Sequence, residues 1–254
     1  MIRVCVAGVT GWAGKAVADA IGSAPDLELV SGVSRSAAGS GNTYANVAEA
    51  LDAIPADVLV DFTSAETVRD NVLTALRRGV RVVNGSSGLT AEDYTEIEAV
   101  ATEKGLGVVA MANASILAAL MQRFAVQAAE LLPSWEIIDY ASAEKIDAPS
   151  GTSRQLAERL GSVRAPSLSK PIDQVIGPRE ARGASVAGTQ VHSLRLPSYS
   201  VSTEVIFGLP GERLTIRHEA GESAAPYVAG TLLAIRAVVK RVGLIRGLDA
   251  LLFP

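Results

Sequence analysis

The stretch Arg3-Val-Cys-Val-Ala7-Gly8-Val-Thr-Gly11-Trp-Ala-Gly14 decides the fold of this chain. Arg3–Ala7 is a short apolar run that reads as a strand, and the periodic segment Trp12–Ser23 reads as a helix. Three glycines stand at the turn between them. Gly8 suits a tight turn, Gly11 lets the backbone approach a pyrophosphate, and Gly14 permits close helix–strand packing. The spacing is G-x-x-G-x-x-G rather than G-x-G-x-x-G, so the placement between strand and helix is what points to a dinucleotide. A purely structural glycine turn is the alternative.

Outward from this turn, short apolar runs alternate with helical patterns, as in a parallel α/β sheet. Further strands are expected at Leu27–Val33, Val58–Asp61, Val80–Asn84 and Gly107–Met111, with helices at Ala65–Arg78 and Ala91–Lys104. Thr90 and Asp93 suit a capped start for the last helix. Ser34–Asn46, rich in Ser, Gly and Ala, reads as a loop. After Asn113 the pattern changes. Ile116, Leu120, Phe124 and Leu131 keep helical spacing, and strands follow at Trp135–Ala143, Gln190–Leu196, Ser202–Gly208 and Arg213–His218. Ala165–Ala187 reads as a long surface excursion. A final helix, Pro226–Arg241, carries an apolar stripe of Val228, Leu232, Ile235 and Val239 suited to packing back on the first domain. The expectation is an α/β chain with a Rossmann-type parallel sheet and a second, α+β domain. Residues 1–113 with 219–254 form the first, and 114–218 the second.

Composition narrows the function. With 254 residues, 48% apolar and 20% charged, the chain has the make-up of a globular protein that can bury a sizeable core. A net charge of −4 argues against a nucleic-acid partner. Cys5 is the only cysteine and His192 and His218 the only histidines, so neither an intrachain disulfide nor a His/Cys metal site is expected. Strand-like Ile2–Ala7 opens the chain with no signal peptide before it, and no apolar run is long enough for a membrane span. A cytoplasmic protein is expected.

Lys145-Ile-Asp-Ala-Pro-Ser-Gly-Thr152 carries the second signal. It sets a cation, two hydroxyls and a glycine at a helix entrance, where free amides and the dipole attract an anion. Lys145, Ser150, Gly151 and Thr152 can grip a carboxylate. Taken alone, the stretch better fits a turn into a capped helix with Lys145 solvated, and it is the rest of the chain that favours the anion site. Twenty residues after Gly14 stand Ser34-Arg35-Ser36 in place of the acidic residue of an NAD-preferring site. A guanidinium there can take a 2′-phosphate in a fork, which favours NADPH, with NADH the alternative. Arg35 as a solvated loop residue remains the other reading. Asp61-Phe62-Thr63 and Asn84-Gly85-Ser86-Ser87-Gly88 fall at carboxyl ends of expected strands and complete one crevice.

Taken together, these pieces resemble the dihydrodipicolinate reductase family over nearly the whole chain. The resemblance rests on Gly8–Gly14, Asp61-Phe62-Thr63, Gly85-Ser86-Ser87-Gly88, Asn113-Ala114-Ser115, the Lys145–Thr152 motif, His192-Ser-Leu-Arg-Leu-Pro197, Glu204–Gly208 and Gly211–His218. It implies an enzyme of the lysine and diaminopimelate pathway, an oxidoreductase that uses NADPH or NADH to reduce a cyclic imine carrying two carboxylates. It also implies a homotetramer assembled through substrate-domain sheets. Carried over by position, Gly8, Gly11, Gly14, Arg35, Thr63, Gly85, Ser87 and Asn113 lie along the cofactor. The turns that hold them add Thr10, Trp12, Ala13, Ser34, Phe62 and Ser86. Lys145, Ser150, Gly151 and Thr152 hold the substrate carboxylate.

The departures are specific. The family places a His-His pair just before the lysine motif, the first being the proton donor, and this chain has Ala141-Ser142. Ser86-Ser87 replaces a Thr-Thr pair, and Ala112 and Ala114 replace a Pro and a Phe around Asn113. A positioned acid typically contributes about 10²–10⁴-fold to such a reduction. Lys145 is the expected substitute donor if desolvated. A second way out is a substrate whose imine is already protonated and needs only hydride. A third reading keeps both ligands and drops the reaction, leaving a sensor of NADP(H) and a dicarboxylate.

Overall fold

The structure is a computed structural model that describes residues 1–36, 38–199 and 201–253. The expected loop Ser34–Asn46 contains Ala37, which lies outside the described residues. In chain order come β1 (Ile2–Ala7), α1 (Trp12–Ser23), β2 (Leu27–Val33), β3 (Thr43–Tyr44), α2 (Val47–Ala53), β4 (Val58–Asp61), α3 (Val68–Arg77), β5 (Arg81–Asn84), α4 (Ala91–Lys104) and β6 (Gly107–Ala110). There follow α5 (Ile116–Leu131), β7 (Trp135–Ala141), α6 (Gly151–Val163), β8 (Ala184–Val186), β9 (Thr189–Arg195), β10 (Val201–Leu209) and β11 (Glu212–Ala220). The chain closes with α7 (Ala225–Val238), β12 (Gly243–Arg246) and α8 (Asp249–Leu252). It divides into two compact units, 1–116 with 224–254, and 117–223.

The first unit is a seven-stranded parallel sheet in the order β12-β6-β5-β4-β1-β2-β3. Val4–Ala7 and Val58–Asp61 are wholly buried, as strands covered on both faces must be. The strand order reverses at β1, which pairs with β2 on one side and β4 on the other. At such a switch point the loops leaving the two carboxyl ends part, and a crevice opens. α4 starts at a capping box in which Thr90 and Asp93 satisfy each other's amides.

The second unit is a five-stranded sheet, β11-β10-β7-β9-β8, in which β7 and β9 run parallel and the other pairs antiparallel. One face packs Trp135, Ile137, Val205 and Phe207 against Met121 and Ala125 of α5 and Leu156 and Leu160 of α6. The buried indole of Trp135 donates to the Thr189 hydroxyl at 3.0 Å. The excursion between α6 and β8 contains two single turns of 3₁₀ helix, at Ile172–Gln174 and Arg179–Arg182.

Several expectations change. β3, α2, β8, β12 and α8 lie where no element was expected, β8 inside the expected excursion Ala165–Ala187. β7 stops at Ala141, because Ser142 already turns back to accept from the Lys145 amide. The buried face of α5 is Ala118, Ala119, Met121, Gln122, Ala125 and Ala129, while Phe124 and Leu131 of the expected stripe are 51% and 81% exposed. α7 likewise buries Gly230, Thr231, Ala234, Ile235 and Val238, a face offset from the expected one. Both helices put small residues inward, where backbones come close. A methyl added at Gly230 would overlap the Ala114 carbonyl.

Candidate functional site

The glycine turn builds the floor of the crevice in the first unit. Gly8 has φ +80°, and a methyl there would overlap the Phe62 carbonyl. Gly14 sits so close that a methyl would overlap the Gly8 carbonyl. Gly11 is the N-cap of α1 and offers no side chain to cap it, so the helix entrance is left to backbone amides. The Thr10 hydroxyl meets that of Ser34 at 2.8 Å, tying the glycine turn to the end of β2.

Above this floor lies a cavity of about 500 Å³, lined by Gly8, Thr10, Gly11, Ser34, Arg35 and Thr63 of the expected residues. Val33, Ser36, Ala45, Asn46, Ser64, Thr67 and Asn71 complete the wall. Among the described residues the wall holds one cation, Arg35, and no carboxylate. Trp12, Ala13, Gly14, Phe62, Gly85, Ser86, Ser87 and Asn113 do not line this cavity. Trp12 instead sets its ring edge-on to Tyr227, centroids 5.5 Å apart. Phe62 lays its ring on the backbone of Gly85, and Asn113 accepts from the Ser115 amide at 2.9 Å.

Asp61 organises the neighbouring turns, a role the sequence reading missed. Its buried carboxylate accepts from the Thr63 hydroxyl at 2.7 Å, the Ser86 hydroxyl at 2.6 Å and Asn71 at 2.8 Å. Thr63 and Ser86, both expected along the cofactor, thus donate their hydroxyl protons to Asp61, and Thr63 also lines the cavity. A buried carboxylate at a strand end must collect donors, which is the signal that could have found this network.

The lysine loop is in the second unit. Lys145 pairs its ammonium with Asp147 at 2.6 Å. Ser150 is the N-cap of α6 and is buried. Its hydroxyl donates to Asp139 at 2.6 Å and its amide to the same carboxylate at 2.9 Å, so both of its donors are engaged within the protein. Gly151 and Thr152 form the first turn, and space around a methyl at Gly151 is open to 4 Å. Asp139 is the second residue the sequence reading missed. Burial works to raise its carboxyl, yet hydrogen bonds from Ser150 and Arg195 outweigh burial and hold it below the ordinary aspartate value.

The side chains near the missing histidine pair are otherwise engaged. Tyr140 donates to Glu204 at 3.2 Å, and burial with that carboxylate raises its phenol. His192 meets Glu136 at 2.7 Å, and Arg182 also pairs with Glu136. His218 is buried, which lowers its imidazole. Among the described residues no helix is long and apolar enough to cross a membrane, and no cluster of three or more His, Cys, Asp or Glu could hold a metal.

Comparison with known proteins gives one consistent answer. The family profile described as dihydrodipicolinate reductase, N-terminus, matches residues 2–114, and that of the C-terminus matches 117–252. The 4-hydroxy-tetrahydrodipicolinate reductase of Streptococcus gordonii is 37% identical over 99% of both chains, and that of Cutibacterium acnes is 38% identical over the same shares. A dipicolinate-bound dihydrodipicolinate reductase from Paenisporosarcina sp. TG-14 superposes with a TM-score of 0.82 at 29% identity, covering 98% of this chain and 99% of that one. GenD2 from gentamicin A biosynthesis, in complex with NAD, shares the fold at a TM-score of 0.66 and 15% identity, over 94% of this chain and 86% of its own. The chain belongs to the dihydrodipicolinate reductase family, the NAD(P)H-dependent oxidoreductases of the lysine pathway.

Proposed function

We propose that this chain is an NADPH-dependent reductase of a small imine carrying two carboxylates. The observation that carries the reading is the cavity at the switch point, whose described lining residues include the cation Arg35 and no acid. A bound reduced nicotinamide supplies the hydride. The chain's own residues do the rest: Gly8, Gly11 and Gly14 clear space for the pyrophosphate at the entrance of α1, where the amides of Trp12 and Ala13 stand. Ser34 and Arg35 face the ribose end. Arg35→Ala should raise the KM for NADPH about 10–100-fold, from the loss of charged hydrogen bonds, and leave that for NADH within about threefold. Equal effects on both cofactors would overturn the preference.

The substrate is held by the lysine loop. Lys145 supplies the charge, while the amides of Gly151 and Thr152 face a carboxylate from the helix entrance. Asp147 at 2.6 Å from its ammonium supports reading Lys145 as an anchor for the carboxylate in place of the proton donor expected from sequence. Buried Ala141 ends β7 where the family's donor histidine stands, and neither it nor Ser142 is an acid of useful strength. This favours a substrate whose imine nitrogen arrives protonated, so that hydride alone completes the reduction. Assembly as a homotetramer through the second unit's sheet fits the exposed or half-buried Tyr140 neighbour Glu204, Leu194 and Arg217 on the face away from α5 and α6.

The deciding experiment is NADPH oxidation by the purified protein with dihydrodipicolinate and a panel of imino and oxo dicarboxylates. Turnover of a saturated imino acid above that of dihydrodipicolinate is the expected outcome; dihydrodipicolinate turned over at ordinary reductase rates would remove the case for a changed substrate. The loss of the histidine pair also supports a second reading, a non-catalytic sensor. Binding of NADPH and dipicolinate with no turnover of any acceptor would establish it.

A further inference from the structure

Asp139, which is buried, and Arg195, which is half-buried, form an ion pair that none of the roles above uses. Asp139 lies on the core face of β7, two residues before Ala141, with its side chain fully buried. Its carboxylate takes the Ser150 amide at 2.9 Å, the Ser150 hydroxyl at 2.6 Å, the Ser153 hydroxyl at 3.0 Å, the Ser193 hydroxyl at 3.1 Å and Arg195 at 2.8 Å. This saturates the lone pairs of two oxygens. Arg195, on β9 beside Ala141 in register, then reaches further: the same Nη2 donates to the Asp147 carbonyl at 2.6 Å.

The loop is therefore gripped at both ends from beneath. Arg195 holds the carbonyl of Asp147, whose carboxylate is the partner of Lys145. Asp139 holds the amide and hydroxyl of Ser150, whose carbonyl starts α6 by accepting from Arg154 at 2.9 Å. A pair that served bulk stability alone could be replaced by apolar side chains of similar volume with little loss. Here its bonds run to Asp147, Ser150 and Ser153, the segment that carries the anion-binding groups. Those groups act only if they converge to within a fraction of an ångström.

We propose that Asp139 and Arg195 are positioning residues for the carboxylate-binding loop, fixing residues 147–150 so that Lys145 and the amides of Gly151 and Thr152 converge on one carboxylate. The inference rests on the substrate reading given above. Neither residue touches the ligand; each acts through the loop.

The test compares Arg195→Lys, which keeps the charge but gives up the forked guanidinium whose two terminal nitrogens bond the Asp139 carboxylate and the carbonyls of Asp139, Leu194 and Asp147, with the wild type. Dipicolinate is the probe. The expected result is a 10–100-fold rise in its Kd and a matching rise in KM for the acid substrate. The kcat should change less than threefold, NADPH affinity should hold, and amide exchange at Ser150 should quicken. Trp135→Phe breaks a buried hydrogen bond elsewhere in the same core; it should lower Tm and leave the dipicolinate Kd unchanged, which separates positioning from mere stability. Wild-type affinity in Arg195→Lys, or an equal loss in Trp135→Phe, would overturn the inference. Failure of the wild type itself to bind dipicolinate would overturn the substrate reading instead. Ser150 exchange then decides the positioning claim, unchanged protection in Arg195→Lys refuting it.

Discussion

Gly14 and Gly151 both stand at helix entrances, yet a methyl on each meets opposite surroundings. At Gly14 it would overlap the Gly8 carbonyl, which belongs to backbone and cannot swing aside. Gly14→Ala should therefore cost about 1–3 kcal/mol or more in stability and abolish saturable NADPH binding, since the turn must open to admit it. At Gly151 nothing lies within 4 Å. Gly151→Ala should leave thermal stability unchanged or raised by about 0.4–1 kcal/mol, because the unfolded chain loses freedom. If a carboxylate lies against that backbone, the same variant should weaken dipicolinate at least tenfold. Calorimetry with ligand titration separates the two effects, and undiminished dipicolinate affinity in Gly151→Ala would remove Gly151 from the site.

Elements differ in how plainly the sequence displays them, and the difference is physical. β1, β4 and β5 are short apolar runs between helical patterns, and burial on both faces leaves no polar alternation to confuse them. α4 announces itself through Thr90 and Asp93. The faces of α5 and α7 were not legible, because hydrophobic spacing marks large residues while these helices pack through Ala, Gly and Thr. Two-residue β3 and the late strand β12 owe their existence to sheet neighbours, β2 and β6, that local sequence does not reveal. In the site, the glycine turn was legible as a motif because each glycine answers a backbone demand. Asp61 and Asp139 were not, because a carboxylate inside an apolar strand declares its purpose only when distant donors such as Ser86 and Arg195 are seen to converge on it.

At the scale of the whole molecule, acid should act on the two units unequally. His218, in the second unit, has its imidazole lowered by burial, with Glu219 pulling the other way. Its unfolded value near 6.5 then lies above the folded one, so its contribution to stability is full above about pH 6.5 and lost as pH falls toward the folded value. Asp139, in the same unit, is held below the ordinary aspartate value; its contribution is full above about pH 3.9 and lost as pH falls through the lowered value. In the first unit the lowered carboxyls of Asp26 and Asp52 belong to exposed pairs with Arg236 and Arg78, and solvent screens such pairs. The chain's two tryptophans fall one to each unit, Trp12 in the first and Trp135 buried in the second. In Trp12→Phe, emission then reports the second unit alone. Its urea midpoint should fall between pH 7 and pH 5, and adding His218→Gln should flatten that fall while leaving the steeper loss below pH 4. An equal decline with and without His218 would show that some other group drives the first step.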